Sequence, residues 1–227
     1  MEKVTIFGDS ILRGVLLNPG NKKYYFSKDI DWTYIENKLD IKIENRSKMG
    51  CDILKGKKMI EEYILQGGRP DFAVVEYGGN DSDYNWKTVA EAPSRDYKPN
   101  TTLEVFGDTL KEIISLLRST GINPILMSLP PIIADKYFDW ISRDGLDKKN
   151  LLYFLGDVEV IYRRQEMYSN KIIKVAAAEK VPLVDVREMF LKVQDYPQYM
   201  CEDGVHPNTA GHKLISDCFI EYFRHTN

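Results

Sequence analysis

The chain has 227 residues, 43% of them hydrophobic, and its 31 Lys and Arg against 34 Asp and Glu leave a formal net charge of −3. That balance supplies no basic surface, so neither nucleic acid nor an acidic membrane is expected as a partner. The length suits one α/β domain over residues 1–227, and no apolar run approaches the roughly 18 residues of a membrane-spanning helix.

Met1-Glu2 leads straight into a strand-like run rather than an export signal, so a cytoplasmic protein is expected. Cys51, Cys201 and Cys218 are too scattered for a disulfide framework or a zinc site and read as free thiols. Short apolar runs alternate with longer segments of helical periodicity, the pattern of a parallel sheet covered by helices. The first strand is expected at residues 4–7 and ends in Gly8-Asp9-Ser10. The second, at 41–45, runs into Asn45 to Gly50, and Asp52 then caps a helix that buries Ile53, Leu54, Ile60, Tyr63 and Ile64. The third, at 72–77, is β-branched and apolar enough to be central and is followed by Gly78-Gly79-Asn80-Asp81.

Residues 82–100 are polar, contain Tyr84, Trp86 and Tyr97, and are expected to be irregular. Thr101 and Glu104 form a capping box. The helix it opens carries Leu103, Phe106, Leu110, Ile113, Ile114 and Leu117 on one stripe, with Gly121 just past its end. A fourth strand at 124–128 leads into a second irregular stretch, 130–157, which starts at Pro130-Pro131 and contains Tyr137, Trp140 and Phe154. Long connections of this kind are often lids or binding loops. A helix near 158–180 and a fifth strand at 183–186 come next. Asp203-Gly204-Val205-His206-Pro207-Asn208 then opens a last helix, capped by Asn208 or Thr209, that buries Leu214, Ile215, Cys218, Phe219 and Tyr222.

In an open parallel sheet, ligands bind at the carboxyl ends of the strands, beside the point where strand order reverses. Four polar segments, distant in sequence, are therefore expected to converge on one sheet edge. A serine hydroxyl there becomes a nucleophile when a neighbouring base takes its proton, and a histidine can do so near neutral pH. A carboxylate on the other ring nitrogen fixes the tautomer. Ser10, His206 and Asp203 supply these three groups; His212 lies inside the last helix and His225 in the tail, so neither suits the base. The backbone N–H groups of Ser10 and Gly50 and the side-chain amide of Asn80 are the candidate donors to an oxyanion. Asp9 and Asp81 are expected to bond loop N–H groups, and no metal site or other cofactor is expected. Trp86, Tyr97 and Trp140 are expected to line an acyl or sugar pocket.

In this order, the segments resemble the SGNH (GDSL-type) hydrolase family, named for its Ser, Gly, Asn and His. Gly8-Asp9-Ser10-Ile11 resembles its first block, Gly50 falls in the second, and Gly78-Gly79-Asn80-Asp81 resembles the third. Asp203-Gly204-Val205-His206-Pro207 is similar to the fifth. The match spans most of the chain, with one departure: Ser47 stands where the second block carries a glycine, so the loop before Gly50 is expected to run differently. The resemblance implies a three-layer α/β/α flavodoxin-like sandwich around a five-stranded parallel sheet. It also implies hydrolysis of a small-molecule ester or thioester without a cofactor. The context Gly8-Asp9-Ser10-Ile11-Leu12 lacks the G-x-S-x-G elbow and argues against an α/β-hydrolase. Acyl transfer on the same residues and a non-catalytic binding module are the rivals; retention of all four of Ser10, Asn80, Asp203 and His206 speaks against the second.

Overall fold

A computed structural model describes residues 1–26, 32–92 and 94–226. Its centre is a five-stranded parallel sheet of β1 (Glu2–Phe7), β4 (Ile41–Asn45), β5 (Phe72–Val75), β6 (Asn123–Met127) and β7 (Leu183–Val184), in the order β4-β1-β5-β6-β7. Strand β1 pairs with β4 on one side, Ile6 opposite Asn45, and with β5 on the other, Phe7 opposite Val75. Strand order therefore reverses beside β1, and the loops after β1 and β5 leave the sheet side by side.

Alternation along the strands feeds two cores. Val4, Ile6, Val74, Ile125 and Met127 face one side, where α2 (Trp32–Leu39), α9 (Val186–Lys192) and α10 (Thr209–Thr226) contribute Ile35, Phe190 and Phe219. Phe7, Ala73, Val75 and Leu126 face the other, beneath α3 (Ile53–Leu65), α5 (Leu103–Ser119) and α8 (Val160–Glu179). This is the three-layer α/β/α arrangement expected. The α5 stripe is buried at Phe106, Leu110, Ile113, Ile114 and Leu117 and half-buried at Leu103. Gly121, at φ +77°, follows its end as the sequence predicts.

Several expectations need correction. The cap of α5 is Thr102, whose hydroxyl accepts from Val105 N, so the box does not start at Thr101. Leu54 is 43% exposed, because the one-residue step from Ile53 turns it about 100° around the helix, off the face shared by Ile53, Ile60 and Ile64. The third strand ends at Val75, before the loop that serves the sheet edge, and the fifth at Val184, because Asp185 caps α9, which starts at Val186. The two stretches expected to be irregular hold α4 (Trp86–Glu91), α6 (Ala134–Ser142) and α7 (Lys148–Leu155). These short helices pack on one another and on the start of α8 through Trp86, Val89, Phe138, Leu151, Phe154 and Ile161. A small antiparallel hairpin of β2 (Val15–Leu17) and β3 (Tyr24–Phe26) follows α1 (Ser10–Arg13). No helix among the described residues is long and apolar enough to cross a membrane, and all three cysteines are free and buried.

One glycine in α3 is required by packing. A Cβ at Gly56 would lie 2.3 Å from the ring of Tyr77, itself 2% exposed. Replacing a helix glycine by alanine ordinarily stabilises by about 1 kcal/mol. Here Gly56→Ala is expected to destabilise instead, by about 1–3 kcal/mol, because the ring has no free space to move into; urea unfolding of both proteins measures the sign.

Candidate active site

The turn after β1 is built by Asp9. Its Oδ1 accepts from Ile11 N at 2.8 Å and so caps the four-residue α1, which ends at Gly14 with φ +78°. Ser10 is thereby fixed as the first residue of α1, where its own N–H has no partner within the helix. The side chain of Ser10 is 7% exposed, and its Oγ lies 2.9 Å from Nε2 of His206.

His206 arrives from the far end of the chain on a turn that Asp203 organises. Asp203 Oδ1 accepts from the backbone N–H groups of Val205 and His206, both at 3.0 Å, and Oδ2 lies 2.7 Å from His206 Nδ1. Burial pushes the Asp203 carboxyl up, but the ring and charge of His206 and these two N–H groups outweigh it and hold the group below the usual aspartate value. Gly204 makes the turn possible: its φ is +73°, and a Cβ there would lie 2.6 Å from Ile133 O. Asn208 caps α10 by accepting from Gly211 N at 3.1 Å. His212 is fully buried in α10 with Nε2 3.2 Å from Val15 O, far from a sheet-edge role, and the side chain of His225 lies outside the described residues.

The other two sequence blocks meet Ser10 from β4 and β5. Gly50 sits at φ +71°, and its N–H makes no hydrogen bond among the described residues. Ser47, which stands where the second block carries a glycine, is 3% exposed, and its N–H donates to Asn45 Oδ1 at 2.9 Å. Asn80 donates both hydrogens of its amide, one to Asp9 Oδ2 at 2.9 Å and one to Cys51 O at 3.2 Å. Because both neighbours are acceptors, this orientation of the amide is the one that satisfies them. Asp81 receives Ile53 N and so ties the start of α3, and burial pushes its pKa up to about 7.

These residues open on a cavity of about 280 Å³, whose lining includes Ser10, His206, Gly50, Asn80, Trp86 and Trp140. Tyr97 stands outside its wall: the ring packs on Phe154 at 5.6 Å and the hydroxyl donates to the carbonyls of Thr88 and Ala92. No cluster of three or more His, Cys, Asp or Glu side chains among the described residues is placed to hold a metal ion.

Two contributors have no counterpart in the sequence reading. Tyr24, on the hairpin, lays its ring on His206 with centroids 4.9 Å apart and touches Trp140 edge-on at 5.8 Å. No periodicity marks it. Glu76 is fully buried beneath the Ser10 turn, and its Oε2 accepts from Asp9 N at 3.1 Å. A carboxylate in the otherwise apolar run Phe72 to Tyr77 is a signal the sequence did offer. Burial and the charge of Asp9 drive the pKa of Glu76 well up; burial raises Asp9 too, but the N–H of Ile11 and the amide of Asn80 favour its ionised form. Of the two, Glu76 is pushed further toward its neutral form.

The chain matches the model of the GDSL-like lipase/acylhydrolase family over residues 6–214 and belongs to that family. It is an ester-bond hydrolase. An isoamyl acetate-hydrolyzing esterase of Saccharomyces cerevisiae is 24% identical over 95% of this chain and 83% of its own length. Two solved structures share the fold. A lipase/acylhydrolase from Enterococcus faecalis superposes with a TM-score of 0.71 at 18% identity, covering 100% of this chain and 97% of its own. An acetylxylan esterase from Geobacillus stearothermophilus gives 0.68 at 20%, over 98% and 94%.

Glu76 makes stability depend on pH with a defined sign. Its folded-state pKa lies above the ordinary glutamate value of 4.5, so the folded protein holds a proton that the unfolded chain releases, and stability falls as pH rises through that window. Glu76→Gln removes the titration. Its melting temperature relative to the wild type is expected to climb between about pH 5 and about pH 8, and scanning calorimetry at the two pH values checks the slope.

Proposed function

We propose that the chain hydrolyses small acyl esters, acetylated carbohydrates among them, through an acyl-enzyme formed on Ser10. The observation that carries this reading is the 2.9 Å contact between Ser10 Oγ and His206 Nε2, backed by the 2.7 Å contact of Asp203 with Nδ1. With Nδ1–H donated to Asp203, Nε2 has its lone pair free to take the serine proton. Ser10 Oγ attacks the carbonyl carbon as that proton passes to Nε2. The tetrahedral intermediate then expels the alcohol, which leaves with the proton from Nε2. Water attacks the acyl group in the same way, and the acid departs as Ser10 recovers its proton.

The oxyanion is received by the N–H groups of Ser10 and Gly50 and by the Asn80 amide. For Asn80 this requires that one hydrogen leave its resting acceptor, and the weaker partner is Cys51 O at 3.2 Å. Asp9 keeps the other at 2.9 Å and so holds the amide in place as it acts. Trp86 and Trp140 form walls for the bound ester, whereas Tyr97 supports the Phe154 side of the same helical cluster. The preference for a small acyl group draws on the names of two similar proteins, one an isoamyl acetate esterase and the other an acetylxylan esterase, which share an acetyl ester.

Labelling by a fluorophosphonate probe tests the nucleophile. The wild type is expected to be labelled and to cleave an aryl acetate. In Ser10→Ala the label disappears and kcat falls by at least about a thousandfold. An intact wild type that refuses both probe and ester would overturn the reading. Asn80→Ala, which leaves the nucleophile and base untouched, is expected to lower kcat by roughly a hundred- to a thousandfold, with labelling slowed but not abolished; stopped-flow release of the aryl alcohol measures it.

A further inference from the structure

The cavity beside Ser10 has a chemical feature that ester hydrolysis does not use. Arg164, on α8, is part of its wall and stacks its guanidinium on Tyr84 and Phe154, 4.9 and 4.6 Å from their ring centroids. Its Nη1 is buried without a hydrogen-bond acceptor. The next residue, Gln165, lines the same cavity; its Nε2 donates to Pro130 O, and its Oε1 accepts from Arg187 Nη1 at 3.1 Å. Arg187 is 5% exposed, and its Nε and Nη2 also lack acceptors. Among the described residues the arginines in ion pairs are Arg46, Arg118 and Arg143, and neither Arg164 nor Arg187 joins them.

A guanidinium cannot shed its proton, so burial without an anion is costly and calls for an explanation. The carboxyl groups on the lining do not supply the anion. Asp83 is taken on Oδ1 by Trp86 Nε1 and on Oδ2 by the Tyr137 hydroxyl, both at 2.7 Å, and burial raises its pKa. Asp9 and Glu76 are engaged at the Ser10 turn. The cavity wall thus carries one guanidinium nitrogen without an acceptor, Arg164 Nη1, and no free carboxylate; behind Gln165 the buried Arg187 has two more, whereas Arg143, also on the lining, is paired with Asp144.

We propose that the portion of the ester held in this cavity carries a carboxylate, received by Arg164, with Arg187 reinforcing the positive field from behind Gln165. The inference rests on the proposed reaction at Ser10 and names the substrate class for it. The carboxylate belongs either to the acyl group, as in a half-ester of a dicarboxylic acid, or to the alcohol, as in an acetylated hydroxy acid.

Two substrate pairs separate these sources. One compares para-nitrophenyl hemiglutarate with para-nitrophenyl hexanoate, and the other compares meta-acetoxybenzoate with meta-acetoxytoluene. In one pair the anionic member is expected to win in kcat/KM by roughly ten- to a hundredfold, the scale of one charge-assisted hydrogen bond. Arg164→Met is expected to bring that ratio close to one, and Arg164→Lys to keep part of it. Because a ratio is read, a general loss of activity cancels. Should both variants fail to fold, inhibition of the wild type decides: glutarate or benzoate must inhibit at least tenfold more tightly than its neutral amide. Equal kcat/KM within both pairs for the wild type, a preference that both variants leave intact, or equal inhibition by acid and amide overturns the carboxylate site. A wild type inert toward every neutral ester refutes the Ser10 reaction instead.

Discussion

The peptide and carboxylate of Asp9 join the segments on which the site is assembled. Its N–H donates to Glu76, its carbonyl accepts from Arg13 N, its Oδ1 caps α1 at Ile11, and its Oδ2 takes the Asn80 amide. The two bonds that leave the turn, to Glu76 and to Asn80, exist because β1 pairs directly with β5, so that the loops after both strands emerge together. Without that pairing Ser10 would have no fixed direction, and Asn80 would have no anchor from which to act. Gly8 belongs to the same arrangement, since a Cβ there would meet Glu76 Oε2 at 2.8 Å.

The electrostatics of the site follow from buried acids treated oppositely by their surroundings. Asp203 is fully buried yet held in its charged form, because backbone N–H groups and an imidazole all point at it. Asp9 and Glu76 are buried together with three donors shared by two carboxyls, and both are pushed up. Environments that drive similar groups apart are how one fold assigns different roles to chemically identical side chains. Asp203 faces the imidazole as an anion. Glu76 lies behind the nucleophile turn, where burial and the charge of Asp9 favour its neutral form.

Much of this was legible in the chain itself. Five apolar runs gave the sheet, because a strand buried on both faces needs little more than unbroken β-branched and aliphatic residues. The polar segments after them gave Ser10, Asn80, Asp203 and His206; the structure joins Ser10, His206 and Asp203 in one hydrogen-bonded row and ties Asn80 to Asp9, the residue before Ser10. Sheet order was not legible, since nothing local states that β5 rather than β6 lies beside β1. Short helices α4, α6 and α7, of 6, 9 and 8 residues, escaped because each spans too few turns for its apolar side to stand out as a helical period. Thr101 and Thr102 are both plausible caps by residue type, and only the backbone decides between them. Tyr24 was invisible because its partner lies in another part of the chain, and Arg164 because a cation on a helix reads as solvated until its neighbours are known.

The glycine of the Asp203 turn has a consequence for how such a pocket can change over time. Ile133 donates its N–H to Gly204 O at 2.8 Å, and the close approach of Gly204 to Ile133 O and Tyr137 N leaves no slack between that turn and the start of α6. The first turn of α6 and the loop that holds the base are thus a single rigid piece. Substitutions that remodel the cavity through α6 displace the base with it, whereas α4, α7 and α8 touch the cavity without that linkage. A change of substrate range that leaves the base in place is therefore expected to come through the latter three helices rather than through α6.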